Sequence, residues 1–157
     1  MDIQIRTAGA GDLPSLNTIA WAAKAHWGYP DEWMEAWRGG LTLTADDLAR
    51  WSVRVAADAD GEVLGFCATS PGGPRWVVEH LWVRPGELGR GVGRGLVRDA
   101  LERAREGGAV GLEIESDPYA EGFYLRLGAE RVGAVPAAMP GAPDRTLPLL
   151  RLDVARA

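Results

Sequence analysis

The sequence predicts an α/β protein of the α+β type, in which a mixed, mostly antiparallel sheet of six to seven strands packs with about four helices. Two strand-like runs, at 53–57 and 63–69, flank a short turn and indicate an antiparallel hairpin. Further along, a strand at 75–84, a helix at about 91–107 and a strand at 110–114 follow one another. A helix of this length between two strands implies a right-handed crossover and therefore a central parallel pair.

The first fifty residues contain one strand followed by helices. Apolar and polar residues alternate at 3–7, as in a half-buried strand. Asp12 is the candidate N-cap of a helix that has Pro14 in its first turn. A second helix is predicted at 31–38, and Thr44 is suited to cap a short third one.

The last forty residues predict a short helix and two more strands. Apolar residues recur at helical spacing over 120–127, and Gly128 closes that helix. The final strands are predicted at 129–134 and 147–153. The loop between them, 135–145, is rich in proline and glycine.

Composition limits the classes of function. The chain of 157 residues has a single-domain length, so residues 1–157 are predicted to form one domain. A net charge of -5 argues against nucleic acid as a partner, because binding a polyanion normally needs a basic face. There is neither a membrane-spanning run nor a signal peptide pattern, so no membrane partner and a cytoplasmic location are expected. The lone Cys67 fits a reducing compartment and is predicted to fill the core.

The stretch Arg90-Gly91-Val92-Gly93-Arg94-Gly95 lies where the predicted strand gives way to the helix at 91–107. The first turn of a helix carries N–H groups without partners and partial positive charge, which together attract phosphate. Glycines remove the Cβ atoms that would hold a bulky anion away, and the two arginines add charge suited to phosphate oxygens. The stretch therefore predicts a pyrophosphate cradle.

Other glycine-rich sites fit this stretch less well. A P-loop needs lysine directly after its last glycine, and the only lysine of the chain is Lys24. A dinucleotide-binding fingerprint has the order Gly-x-Gly-x-x-Gly near the first strand, whereas these glycines alternate and lie past mid-chain. Glycines that serve only the loop's conformation are the simpler alternative.

The cradle resembles the acetyl-CoA loop of the GNAT superfamily of N-acetyltransferases, written Gln/Arg-x-x-Gly-x-Gly/Ala. Arg90, Gly93 and Gly95 occupy its three fixed positions. The stretch from Asp117 to Ala129 looks like the family's Asn-x-x-Ala-x-x-Phe-Tyr-x-x-x-Gly-Phe motif, with Asp in place of Asn and Ala in place of the last Phe. Both motifs stand in the family's order. The sequence shows no internal repeat, low-complexity tract or linker, so the resemblance is expected to cover the whole chain.

The resemblance implies acetyl-CoA as cosubstrate and no metal. In the family, the pantetheine arm bonds to the backbone of the strand before the cradle. An asparagine at position 117 would contact that arm through its amide; a carboxylate cannot donate, so Asp117 is alternatively a helix cap. The cofactor-binding residues that the resemblance implies are Leu81, Trp82, Val83, Arg90, Gly91, Val92, Gly93, Arg94, Gly95, Asp117, Ala120 and Phe123.

Two residues are candidates for proton transfer. The resemblance implies that Tyr124, the tyrosine of the Phe-Tyr pair, is the general acid for the departing thiolate; a core tyrosine on an amphipathic helix is the alternative. Glu79 is the candidate base, because an ionised carboxylate within an apolar strand is costly unless it is paired or reaches water and substrate. A glutamate held by a nearby arginine is the alternative.

The acceptor site is predicted from aromatic residues in a loop. His26, Trp27 and Tyr29 cluster beside Gly28 and Pro30, and the family places its acceptor site at this junction between helices. A packed loop is the alternative. His80 is the fourth candidate substrate contact; it faces away from its neighbour Glu79 in a regular strand, although a bulge would change that parity.

The expected reaction is direct transfer of an acetyl group to a primary amine of a small molecule or peptide, and a protein N-terminus or lysine is the close alternative. A GNAT-fold module that binds acetyl-CoA or regulates without transfer is the alternative from another class. The family is frequently dimeric, so a homodimer is also left open.

Overall fold

The structure is a computed structural model that describes residues 2–154. The two ends of the predicted domain, residue 1 and residues 155–157, lie outside the described residues. The helices are α1 (Leu13–Ala25), α2 (Asp31–Trp37), α3 (Ala45–Arg50), α4 (Val92–Glu106) and α5 (Glu121–Arg126). The strands are β1 (Gln4–Thr7), β2 (Ser52–Ala57), β3 (Val63–Ser70), β4 (Arg75–Val83), β5 (Gly111–Glu115), β6 (Glu130–Pro136) and β7 (Thr146–Asp153).

Seven strands form one sheet in the order β1-β2-β3-β4-β5-β7-β6. β4 and β5 run parallel, with Arg75 opposite Gly111 and Val78 opposite Ile114. The pairs β1–β2, β2–β3, β5–β7 and β6–β7 are antiparallel. The predicted mixed sheet with a central parallel pair is therefore confirmed, and the described chain has five α-helices where about four are predicted.

The chain forms two compact units, and the boundaries between them fall inside β4 and inside α4. The first unit contains the chain up to Ser70 together with Glu79–Ala100. The second contains Pro71–Val78 together with the chain from Leu101 onward. The assignment of the whole chain to one domain stays a prediction.

The core of the first unit lies between α1, α2 and the strands β2 and β3. Its buried residues are Leu16, Ile19, Ala20, Met34, Leu41, Leu43, Val53, Val55, Val63, Phe66 and Ala68. Cys67 on β3 is only 1% exposed, which confirms the predicted core position, and burial raises the pKa of its thiol to about 12. A thiol in that state is a packing group rather than a nucleophile.

The second unit has its own tight contacts. The backbone of β5 lies so close to β7 at Gly111 that an added Cβ would collide with the carbonyl oxygen of Leu152. The Trp76 ring of β4 lies over Gly107 just after α4, where an added Cβ would come within 2.5 Å of the ring. Arg75 donates to Asp153 at 2.5 Å across this part of the sheet. These contacts fix the start of β4 beside β5.

The prediction for Asp12 as the cap of α1 is wrong. Its side chain makes no capping bond to α1 and instead accepts from the Gly9 amide at 2.8 Å and from Arg6 at 2.8 and 2.9 Å. The Arg6 guanidinium therefore holds the pKa of this carboxyl below its usual value. The prediction for Thr44 is confirmed, because its hydroxyl accepts from the Asp47 amide at the start of α3.

Candidate active site

The loop before α4 turns through two glycines in the left-handed backbone region. After a single 3-10 turn at Pro85–Glu87, Gly89 and Gly91 take φ values of +79° and +85°. Residues with a Cβ rarely adopt this region, while a Cβ built at either position would meet nothing within 4 Å. These two glycines are therefore required by the backbone conformation rather than by crowding.

The N-terminus of α4 offers backbone donors. The amide of Gly95 donates to the carbonyl of Gly91 at 3.0 Å, the first turn of the helix. The amides of Val92, Gly93 and Arg94 precede that bond and occupy the positions that leave N–H groups available in any helix. The Val92 side chain is buried and anchors the turn. The backbone dipole and these donors suit an anion.

Gly95, unlike Gly89 and Gly91, has another side chain close to the place of a Cβ. A Cβ at this position would lie 3.6 Å from the Cδ1 atom of Ile5 on β1. That distance is an ordinary van der Waals contact, so packing alone does not require glycine here and the cofactor-binding role of Gly95 stays a prediction.

The arginines of the cradle supply charge at the surface. The Arg90 side chain is 62% exposed, with Nη1 3.7 Å from the Oε2 atom of Glu87. Arg94 is exposed as well. A guanidinium in this state can turn toward phosphate oxygens at little cost, because its contact to Glu87 is long and weak. Donors and charges together fit the diphosphate of a nucleotide cofactor.

β4 leads into the cradle through Leu81, Trp82 and Val83, all of them half-buried. Gly65 on β3 allows the two strands to approach, because a Cβ there would lie 2.7 Å from the Trp82 carbonyl oxygen. The Arg84 amide donates to the carbonyl of Leu64 at 2.8 Å. The backbone that the resemblance assigns to the pantetheine arm is therefore held firmly by β3.

Glu79 lies on the same strand and is exposed. Its Oε1 atom accepts a hydrogen bond from the Ser70 hydroxyl at 3.0 Å. Among the described residues 2–154, none of the ion pairs involves Glu79, so the alternative of a glutamate held by an arginine is wrong. The carboxylate is accessible to water and oriented by one hydroxyl group.

Four candidates lie in the second unit. Asp117 accepts from the Tyr119 amide at 2.9 Å and so caps a 3-10 turn at Pro118–Ala120, as the alternative interpretation expects. Ala120 is the N-cap residue of α5. On that helix the rings of Phe123 and Tyr124 meet edge to face at 5.1 Å, and Tyr124 is only 4% exposed.

The comparisons with known proteins agree with this geometry. The model of the acetyltransferase (GNAT) family matches residues 13–129, which include the cradle, Glu79 and the Phe123–Tyr124 pair. The chain belongs to the acetyltransferase (GNAT) family. It is an acetyltransferase, and acetyl-CoA is its cosubstrate.

Individual GNAT relatives cover most or part of the chain. An L-methionine sulfoximine/L-methionine sulfone acetyltransferase from Pseudomonas aeruginosa is 34% identical over 153 residues, which cover 87% of this chain and 85% of the relative. A blasticidin-S acetyltransferase from Streptomyces morookaense is 38% identical over 76 residues, 46% of this chain and 56% of the relative. The solved structure of the PaiA N-acetyltransferase from Thermoplasma acidophilum with coenzyme A has a TM-score of 0.80 at 17% identity, over 98% of this chain and 99% of that one.

The predicted acceptor loop of this GNAT chain lies between α1 and α2. His26 is exposed, and its ring meets Trp27 edge to face at 5.0 Å. Tyr29 is half-buried and contacts the rings of Trp33 and Trp37 at 5.8 and 4.9 Å. Tyr29 thus belongs to a ring group with Trp33 and Trp37.

The ammonium group of Lys24 lies close to two rings of this group and to a third ring on β4. The Lys24 Nζ atom lies 4.8 Å from the ring centroid of Tyr29, 4.1 Å from that of Trp37 and 5.9 Å from that of Trp82. The structure therefore links the acceptor loop to β4 through one ammonium group. The sequence analysis missed Lys24; its single occurrence among closely spaced tryptophans is the signal that could have found it.

His80 is half-buried, and its Nδ1 atom accepts a hydrogen bond from the indole N–H of Trp82 at 2.9 Å. Burial lowers the pKa of His80 to about 4, although the charge of Asp47 acts in the opposite direction. The imidazole is therefore neutral near pH 7. Since Nδ1 accepts, Nε2 carries the hydrogen.

Metal-binding clusters and membrane-spanning helices are both missing from the described part of the chain. Among residues 2–154, no His, Cys, Asp and Glu side chains gather in threes as they would around a metal ion. Within the same part of the chain, no helix has both the length and the apolar character that crossing a bilayer demands.

Proposed function

We propose that this enzyme transfers the acetyl group of acetyl-CoA directly to a primary amine of a small molecule. The observation that carries the proposal is the cradle, in which Gly89 and Gly91 turn the backbone into the N-terminus of α4 beside Arg90 and Arg94. Likeness over most of the chain to an enzyme that acetylates amino-acid analogues supports a small acceptor. A peptide or protein amine is the second candidate.

The amides at the start of α4 and the two arginines would hold the diphosphate of acetyl-CoA, and the backbone of Leu81, Trp82 and Val83 would hold its pantetheine arm. The thioester supplies an activated acetyl group, so the protein needs no covalent intermediate. What remains for the side chains is to take a proton from the amine and to return one to the thiolate.

Glu79 is our candidate for the base. It is exposed, accepts a hydrogen bond from the Ser70 hydroxyl at 3.0 Å and, among the residues that the structure describes, forms no ion pair that would occupy its second oxygen. An ionised carboxylate of this kind removes a proton from an ammonium through a bound water, since the amine becomes nucleophilic only when neutral. The hydrogen bond to Ser70 would orient the oxygen that remains free.

Tyr124 is our candidate for the acid. It follows Phe123 in the Phe-Tyr pair of the GNAT motif and is 4% exposed. The helix end that carries it is fixed, because its carbonyl oxygen accepts from the amides of Leu127 and Ala129 at 3.0 and 3.1 Å. A buried phenol on a fixed backbone can return a proton to one defined atom.

We assign the acceptor to the aromatic loop. Tyr29 belongs to the ring group around Lys24, while His26 and Trp27 lie beside it in sequence. Flat rings suit a compact amine better than a long peptide, because they provide apolar contact area but no backbone donors and acceptors with which an extended peptide could pair.

The first test combines binding and turnover in one preparation. Calorimetric titration measures the affinity for acetyl-CoA, and a thiol-release assay then screens amino acids and their analogues, polyamines, aminoglycosides and short peptides. We expect binding and release with one class of small amine. Release with peptides alone would support the second candidate, and binding without release from any amine would contradict the proposed transfer.

Variants test each role against a matched control. Gly93→Glu should abolish coenzyme affinity, while Gly11→Glu, at an exposed glycine with open space around it, should not. Tyr124→Phe and Glu79→Gln should each lower kcat by about 100-fold with little change in coenzyme affinity. The control for the glutamate is Glu115→Gln, at an exposed position on β5. Unchanged turnover in either catalytic variant would remove that residue from the mechanism.

A further inference from the structure

The hydrogen bond between Trp82 and His80 has no part in the proton transfers above. The indole N–H of Trp82 donates to Nδ1 of His80 at 2.9 Å, between residues two positions apart on β4. The bond exists only while the imidazole is neutral, because a protonated ring carries a hydrogen on both nitrogens. Its presence therefore requires an environment that keeps His80 uncharged.

That environment is apolar and aromatic. The His80 ring lies 5.7 Å from Trp51 and 6.2 Å from Phe66, measured between ring centroids. Phe66 is fully buried in the core of the first unit. Beside these ring contacts, the bond from the Trp82 N–H to Nδ1 is directional and so orients both the imidazole and the indole.

Trp82 is also part of the ring group near the acceptor loop. Its ring lies 5.9 Å from the Lys24 Nζ atom, which contacts Tyr29 of the loop and Trp37 of α2. The backbone and the side chain of Trp82 are held by different partners. Gly65 on β3 determines how closely the Trp82 carbonyl can approach, while His80 determines where the indole points.

We propose that His80 is a positioning residue for acceptor recognition: its neutral imidazole holds the Trp82 indole within the ring group formed by Tyr29, Trp37 and Trp82 around Lys24. The inference rests on the proposed function, since it assumes that this ring group contacts the amine. His80 is then neither the base nor a direct substrate contact through Nδ1, because that atom is already occupied.

A double-mutant cycle tests this role by steady-state kinetics. His80→Leu removes the acceptor, and Trp82→Phe removes the donor while keeping a ring. We expect each to raise KM for the amine about tenfold, the effect of losing one half-buried hydrogen bond, with kcat and the KM for acetyl-CoA changed less than about twofold. The double variant should lose no more than either single one.

Two more variants separate positioning from mere stability. His80→Asn keeps an acceptor oxygen near the place of Nδ1 and should restore the KM for the amine to within about threefold of the parent. Gly65→Ala disturbs the Trp82 backbone instead and should raise the KM for acetyl-CoA. If His80→Leu fails to fold, the comparison of His80→Asn with Trp82→Phe still tests the bond.

The failure of this inference and the failure of the proposed function give different results. Nitrogen NMR of labelled histidine reports whether Nδ1 of His80 is the unprotonated atom, independently of turnover. An Nδ1–H tautomer, or additive losses in the cycle, or an unchanged KM for the amine in His80→Leu, would each overturn the positioning role while transfer itself stands. An enzyme that acetylates no amine would overturn the proposed function, and this inference with it.

Discussion

The environment of His80 predicts a loss of stability on mild acidification. Its pKa is lowered to about 4 in the folded chain, against an ordinary value of 6.5 once the chain unfolds. Between these two values the unfolded chain binds more protons than the folded one, so the free energy of unfolding rises with pH in this window. Above pH 6.5 the contribution of His80 is constant, and below about pH 4 the penalty is complete.

The size of the effect follows from the two pKa values. At pH 5 the unfolded imidazole is almost fully protonated while the folded one is still neutral. The linkage relation then gives a loss of about 2 kcal/mol between pH 7 and pH 5. The carboxylates of Asp12 and Asp47 do not interfere, because their pKa values are lowered and their contribution disappears only as the pH falls well below 4.

The assay is urea unfolding followed by tryptophan fluorescence at pH 7, 6 and 5, on the parent chain and on His80→Asn. Asparagine does not titrate, and every other titratable group is shared, so the difference between the two pH curves isolates His80. We expect the parent to lose about 2 kcal/mol more than the variant over this range. Parallel curves would refute the argument that burial keeps the imidazole neutral.

Three other perturbations test the architecture by the same unfolding assay. Gly65→Ala should cost about 1–3 kcal/mol, because its Cβ would lie 2.7 Å from the Trp82 carbonyl oxygen, a backbone atom that cannot swing away; no loss would mean that the strands are less tightly paired. Arg54→Met should lower the free energy of unfolding by about 3 kcal/mol, because Asp99, whose carboxylate accepts from Arg54 at 2.8 and 3.0 Å, would stay largely buried without its partner. Adding Asp99→Leu to that variant should restore much of the lost stability. Asp117→Ala should cost about 1 kcal/mol and Asp117→Asn much less, because only the first removes the cap; equal losses would contradict the capping role.

Much of the fold could be predicted because its signals are local. The turn between β2 and β3, the breaks around α4 and the cap at Thr44 are all encoded within a few residues, so their positions agree closely with the structure. Strand ends shifted by a residue or two where edges fray: β6 covers Glu130–Pro136 rather than 129–134.

Where the sequence-based predictions fail, the cause is a side-chain contact that the local pattern does not specify. Asp12 has the residue type and position of a helix cap, but its carboxylate accepts hydrogen bonds from Arg6 on β1 and from the Gly9 amide instead. The ring group around Lys24 joins three elements, and no local pattern in the sequence specifies which rings will meet. Which side chains contact one another across elements depends on how the helices and strands pack together.

The position of Lys24 has a consequence for the durability of the enzyme. An acetyltransferase carries a reactive thioester, and any neutral amine on its own surface is a competing nucleophile. Of the 17 cationic side chains in this chain, Lys24 is the only amine and all the others are guanidinium groups, which stay protonated. The Nζ atom of that one amine lies 4.8 Å from the ring centroid of Tyr29 and 4.1 Å from that of Trp37, so aromatic rings cover part of its surface. Among the side chains of the sequence, a single amine is therefore available to compete with the acceptor for the acetyl group.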